Sequence, residues 1–154
     1  MLRLIGVGNR WRGDDAAGLV VAARVRARRP RGIAVIEDRG EPLELIEACE
    51  GAQAAWLVDA VCSGAPPGTL HRFDAGERAL PAGLFRVSTH RFGLADALEL
   101  ARALGRLPPR VVVYGIEGSR FAPGRPMSPA VAAAAERLAD VLSTEMAAAS
   151  VAAR

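Results

Sequence analysis

Lysine is absent from this chain of 154 residues, and all 20 of its basic residues are arginine. Without Gly-Lys-Ser/Thr there is no phosphate-binding loop of the Walker type. Cysteine is scarce: Cys49 and Cys62 form no CxxC pair, and two thiols are too few for a disulfide framework. Both read as buried, reduced structural residues. Histidine is limited to His71 and His90, so a metal site with a nitrogen ligand has only two places to find it. No apolar run approaches the ~20 residues of a membrane span. The N-terminus also lacks the basic, apolar and small-residue succession of a secretory signal. The expected compartment is the cytoplasm, with no membrane partner.

What remains is an ordinary globular composition. Hydrophobic residues make up 51% and charged residues 24%, which excludes a disordered chain. The length fits one domain spanning 1–154, expected to be a monomer and to bury roughly 70% of its unfolded surface, with a tail ready to fray from about Ala147. The net charge of +3 raises the question of nucleic acid. Its one cluster, Arg24, Arg26, Arg28, Arg29 and Arg31, falls at the expected C-terminal end of a helix, where the helix dipole favours cations and Pro30-Arg31-Gly32 stops the helix. That is a solvated helix end, and no nucleic-acid partner is expected.

Periodicity gives strands alternating with helices. Leu2 to Val7 reads as a buried strand, and Asp15 to about Arg28 as a helix with Leu19, Val20, Ala23 and Ala27 on one face. Ile33 to Ile36 is a short β-branched strand ending at Glu37-Asp38. Pro42 to Cys49 is a helix with Leu43, Ile46 and Ala48 apolar. Ala54 to Val58 is a wholly apolar strand terminating at Asp59. After the Pro66-Pro67-Gly68 turn come an alternating strand, Thr69 to Phe73, and a helix, Phe92 to Leu104, with Leu94, Ala97, Leu98 and Ala101 apolar. Arg110 to Ile116 is another central strand. The last helix begins with Ser128 as N-cap and Pro129 at its first position, and presents Val131, Ala134, Ala135, Leu138, Val141, Leu142 and Met146. The expected fold is a single-domain, three-layer α/β sandwich: a mostly parallel twisted sheet with helices on both faces.

In such folds ligands bind beyond the carboxyl ends of the strands. The first strand there runs into Gly6-Val7-Gly8-Asn9-Arg10-Trp11-Arg12-Gly13-Asp14-Asp15. The turn looks like a dinucleotide loop, but the third glycine is missing and two carboxylates stand where a phosphate would meet the helix N-terminus. They favour a cation there and repel an anion. Asp38 follows the second strand and Asp59 the third. One such Asp alone reads as a turn or helix cap, but acids converging on one edge read as a site, because a carboxylate buried unpaired is costly. His71 lies inside an alternating strand, away from the expected site edge, and reads as a rim residue. His90 lies in the polar turn Val87-Ser88-Thr89-His90 before a helix. Two carboxylates and an imidazole with open positions suit a borderline-to-hard divalent ion, unlike a closed, sulfur-rich structural zinc site.

Gly6-Val7-Gly8-Asn9 with Gly13-Asp14-Asp15, then Val58-Asp59-Ala60, then Thr89-His90-x-x-Gly93-Leu94-x-Asp96-x-Leu98 resembles the hydrogenase maturation endopeptidases along essentially the whole chain. The resemblance implies an endopeptidase that removes a C-terminal peptide from the nickel-loaded large-subunit precursor of [NiFe]-hydrogenase. It implies nickel carried by the client, with Asp15, Asp59 and His90 as the contacting and catalytic positions. Whether that metal polarises a carbonyl or water, or Asp38 serves as general base, stays open. Two departures from the family pattern, Asp38-Arg39-Gly40 in place of Asp-Gly-Gly and Glu117-Gly118 in place of Gln-Pro, are expected to bear on client choice. The competing readings are a small-ligand or nucleotide-binding module, a precursor chaperone that does not cut, and a Cys62–His90 nucleophilic dyad.

Overall fold

The computed structural model describes residues 1–81, 83–85 and 93–153. Its strands are β1 (Leu2–Val7), β2 (Ile33–Asp38), β3 (Ala54–Val61), β4 (Leu70–Asp74) and β5 (Arg110–Glu117), paired in one sheet in the order β2-β1-β3-β5-β4. The first four in that order are mutually parallel, and β4 closes one edge antiparallel to β5. The central β3 is buried at all eight positions. A strand covered on both faces must be apolar throughout, and this one is apolar except at Asp59.

Two cores lie on opposite faces of the sheet. On one, α1 (Ala17–Ala27) and α4 (Pro129–Ala152) bury Val21, Leu138 and Leu142 against Leu4, Trp56 and Ile116. On the other, α2 (Pro42–Cys49) and α3 (Leu94–Ala103) bury Leu45 and Leu98 against Ile5, Leu57 and Val113. This is the three-layer arrangement expected from the alternating pattern. No helix among the described residues is long and apolar enough to cross a membrane.

Several helix faces differ from the sequence expectation. A 3-10 turn, Gly13–Ala16, precedes α1, whose buried face is Ala17, Gly18, Val21, Ala22 and Val25. Ala23 and Ala27 are exposed and Leu19 and Val20 only half-buried. The reason is close approach: a Cβ on Gly6 would lie 2.3 Å from the Gly18 carbonyl oxygen and 2.6 Å from Ala22 Cβ. A Cβ on Gly18 would lie 2.2 Å from the Val58 carbonyl oxygen. The small residues of α1 therefore face the strands and set its rotation. Leu43 on α2 and Val141 on α4 point to solvent, at 66% and 45% exposure, because Leu45, Ile46 and Cys49, and Leu138 and Leu142, already fill the sheet-facing arcs.

Beyond Asp59 the ladder continues. Asp59, Ala60 and Val61 pair with Gly115, Ile116 and Glu117, so β3 does not terminate at the acid as expected. The neighbour of Asp59 at that rung is Gly115, whose missing side chain makes room for Val61 and Phe85: a Cβ there would lie 2.7 Å from Val61 Cγ1 and 3.5 Å from Phe85 Cε1. The last helix runs as helix to Ala152.

Candidate active site

The register of the sheet sets one row of residues across its carboxyl edge. Asp38 pairs with Val7. Gly6 pairs with Val58, which puts Asp59 level with Val7 on the other side of β1. Asp59 pairs with Gly115, and Gly115 with His71. Paired residues share a face of the sheet, and strands lie ~4.8 Å apart, so the backbones of Asp38 and Asp59 are about 10 Å apart with their side chains on the same face.

Asp15 reaches this row from the 3-10 turn. Its carbonyl accepts the Asn9 N–H at 3.3 Å, and a Cβ on Gly8 would lie 2.0 Å from that carbonyl oxygen. Gly8 is thus what lets the turn fold back onto the strand end. Asp15 and Asp59 line one small crevice with Val7, Phe85, Leu94 and Arg39. Asp15 and Asp38 also line an adjoining cleft of about 770 Å³, whose rim carries Arg10, Trp11 and Arg12.

The electrostatics of these acids differ from those of surface carboxylates. Asp59 is buried, and its Oδ1 accepts the Ala60 N–H at 2.8 Å. Burial raises its pKa well above the ordinary value, and the negative charges of Asp15 and Asp38 push the same way. Asp38 is also raised, by burial first and then by Glu44 and Glu41, although the Gly40 N–H, 2.6 Å from Oδ1, offsets part of this. Such a group of acids sheds its protons most readily when a cation arrives to be shared.

Other expectations are corrected here. Asp14 does not face the crevice with Asp15. Its Oδ1 accepts Ser128 N–H at 2.7 Å, and its Oδ2 accepts Ser119 N–H, Arg120 N–H and Ser128 Oγ–H at 2.8, 2.9 and 2.7 Å. Burial pushes its pKa up, but the hydrogen bonds outweigh it and hold the group below the usual range. Asp14 is a clamp on the segment between β5 and α4. Ser128 occupies the N-cap position of α4 with no side-chain cap bond, because its hydroxyl is given to Asp14.

Glu117 is likewise no part of the cleft wall. It is fully buried and accepts Ser63 N–H (2.7 Å), Ser63 Oγ–H and Ala65 N–H, with His71 Nε2 at 3.2 Å. It pins the turn after β3. His71 lies on the same row as Asp59 and not away from the site edge, because β4 runs antiparallel and begins at that edge. Phe85 lies over Gly115, between the two: its Cε1 would be 3.5 Å from a Cβ there. Cys49 is buried, with its thiol pushed up to about 11 by burial, whereas Cys62 is exposed and not buried as expected, since it follows the end of β3.

His90 lies outside the described residues. Among the described residues no three His, Cys, Asp or Glu side chains come close enough together to hold a metal ion. The structure thus brings Asp15, Asp59 and Asp38 to one edge. Two neighbours of the acids were not singled out from sequence: Phe85, which gives no periodic signal, and Trp11, whose signal was an aromatic in an otherwise polar turn.

Fold and edge together define an α/β protein whose sheet carries Asp15, Asp38 and Asp59 at one edge. Residues 20–145 match the HycI family of hydrogenase maturation proteases, and the chain belongs to that family. Asp38 and Asp59 fall inside the matched stretch and Asp15 just ahead of it. The hydrogenase expression/formation protein HupM of Azotobacter chroococcum mcd 1 is 30% identical over 116 residues, 74% of this chain and 56% of that protein. The chain therefore spans little more than half the length of that relative. The Hydrogenase 2 maturation protease of Escherichia coli K12 is 28% identical over 138 residues, covering 86% of this chain and 82% of its own. The solution structure of an endopeptidase from Escherichia coli has a TM-score of 0.75 at 26% identity, over 92% of this chain and 90% of that one. The crystal structure of the HycI protease from Thermococcus kodakarensis KOD1 has a TM-score of 0.71 at 22% identity, over 93% and 90%, a likeness of fold.

Proposed function

We propose that this chain is an endopeptidase that removes a C-terminal peptide from the nickel-loaded large-subunit precursor of [NiFe]-hydrogenase. The observation that carries the reading is Asp59: a buried carboxylate in an otherwise apolar central strand, sharing a crevice with Asp15. Its burial is unfavourable unless the site receives a proton or a cation. In this reading Asp15, Asp59 and His90 contact nickel that the client brings on its own thiolates, so the ion serves as the mark of a finished client. Docking on it holds the scissile amide at the acid edge. Asp38, with its raised pKa and a place in the cleft beside Asp15, takes the proton of the attacking water as general base. Water adds to the carbonyl carbon, the C–N bond breaks, and the departing amine takes up a proton.

The same reading makes the chain an aspartyl-type peptidase that works as a cytoplasmic monomer, where the precursor is assembled and Cys49 and Cys62 stay as thiols. The nucleotide-binding alternative is disfavoured by the glycines: Gly6 packs against α1 and Gly8 against the Asp15 carbonyl, so neither presents an open phosphate cradle. The test is to mix the purified protein with nickel-loaded and nickel-free precursor and follow the mass of the large subunit. A single cut near the C-terminus of the loaded form alone is expected. Equal cutting of both forms would overturn the role given to nickel.

A further inference from the structure

Four carboxylates face the cleft beside the crevice: Asp15, Glu37, Asp38 and Glu41. Any ligand carboxylate entering it meets repulsion except where a cation stands uncommitted. Arg10 is turned toward Glu37 at 3.4 Å, and Glu37 also holds Arg26 at 2.7 Å. Arg39 differs. It follows Asp38 at the end of β2, is exposed, and has no hydrogen-bond or ion-pair partner among the described residues. It also lines both the large cleft and the crevice of Asp15 and Asp59, and so stands at their junction.

From this placement we propose that Arg39 is a specificity-determining residue: its guanidinium seats a carboxylate of the client's C-terminal segment at the mouth of the acid crevice. The inference rests on the endopeptidase reading above and deepens it. A guanidinium presents paired N–H donors in the plane a carboxylate needs, and it stays charged at any working pH. The surrounding acids sharpen the selection, because a carboxylate displaced from Arg39 lands among like charges. Trp11, 74% exposed on the rim of the same cleft, offers a flat apolar face for the rest of an extended segment. The carboxylate has two sources, an acidic side chain of the tail or the chain's own C-terminal carboxylate.

The experiment measures binding and cutting of the nickel-loaded precursor separately, with the wild-type chain and with Arg39→Ala, Arg39→Lys and Arg39→Glu. Arg39→Ala should weaken binding and raise KM about tenfold, with kcat changing less than about twofold. Arg39→Glu should weaken binding further, and Arg39→Lys should restore part of the loss. Melting temperatures should stay level, since Arg39 has no partner to lose among the described residues. Two precursor arms identify the source: one with the tail's acidic side chains changed to amides, the other with an amidated C-terminus. In the correct arm Arg39→Ala should cause no further loss. Binding by Arg39→Glu equal to wild type, or full loss retained in both arms, overturns the proposal. Tight wild-type binding without cutting overturns the endopeptidase reading alone, while absence of wild-type binding overturns both.

Discussion

Asp59 and Asp14 are 45 positions apart in sequence, both buried, and opposite in electrostatic character. A carboxyl whose folded pKa is raised, as for Asp59, carries an extra proton in the folded chain between its unfolded and folded values. Stability then falls as pH rises through that interval. Asp59→Asn keeps the acceptor for Ala60 N–H and removes the buried charge. It should raise the melting temperature at neutral pH, an advantage that vanishes below the ordinary aspartate value of 3.8. The same variant should cut the precursor at least about a hundredfold more slowly. Calorimetry from acid to neutral pH, alongside the mass assay, checks both halves. For Asp14 the sign reverses: its lowered pKa supports the fold above the ordinary value, and that support is lost as pH falls through the folded one. Asp14→Ala leaves three backbone N–H groups without their acceptor. It should cost about 3–5 kcal/mol in urea unfolding, and Asp14→Asn less.

The clearest case at the scale of elements is the tie between α4 and the sheet. Glu145 on α4 accepts Trp56 Nε1–H of β3 at 3.1 Å, Tyr114 O–H of β5 at 2.7 Å and an Arg72 N–H of β4 at 3.1 Å. One carboxylate thus joins three strands to one helix. Burial pushes its pKa up, but these hydrogen bonds and the charge of Arg72 prevail and hold it low. Glu145→Ala strands a buried indole N–H and a phenol, and should cost about 2–4 kcal/mol. The loss should begin to shrink as pH falls below the ordinary glutamate value of 4.5 and be smallest below the lowered value of the folded chain, where Glu145 is itself protonated. Denaturant titrations of both proteins at neutral and acid pH read this out. At the site edge the corresponding elements are the 3-10 turn and β2, which deliver Asp15 and Asp38 from either side of β1.

For the whole molecule, the two helical layers share one sheet, so a cavity on one face should be felt on the other. Leu98 is buried on the α2–α3 side and Trp56 on the α1–α4 side. Leu98→Ala should cost about 2–5 kcal/mol. In a Trp11→Phe background, which leaves Trp56 as the remaining tryptophan, fluorescence and circular dichroism should shift together in one transition. Two separate transitions would show that the layers unfold independently.

The class of fold, most of the strands and the carboxylates near the sheet's carboxyl edge follow from local signals along the chain. Apolar runs of strand length and helical spacing are local signals, and they survive folding because each element must bury its own apolar side. Asp38 was legible as the acid that ends β2, Asp59 as the lone carboxylate in an apolar strand, and Asp15 as an acid opening the helix that follows β1. Which acids share the crevice was settled by contacts between residues far apart in sequence. Asp14 and Asp15 are neighbours in sequence, yet one is turned toward Ser128, more than a hundred positions away, and the other toward Asp59. Glu117 was expected to bear on client choice, and long-range contacts to Ser63 and His71 make it a clamp. The face of α1 was set by how closely Gly6 and Gly18 approach, which no periodicity encodes. Position along the chain says which groups are available, whereas the partner a buried polar group finds depends on residues far away in sequence, and that partner decides whether it becomes scaffold or site.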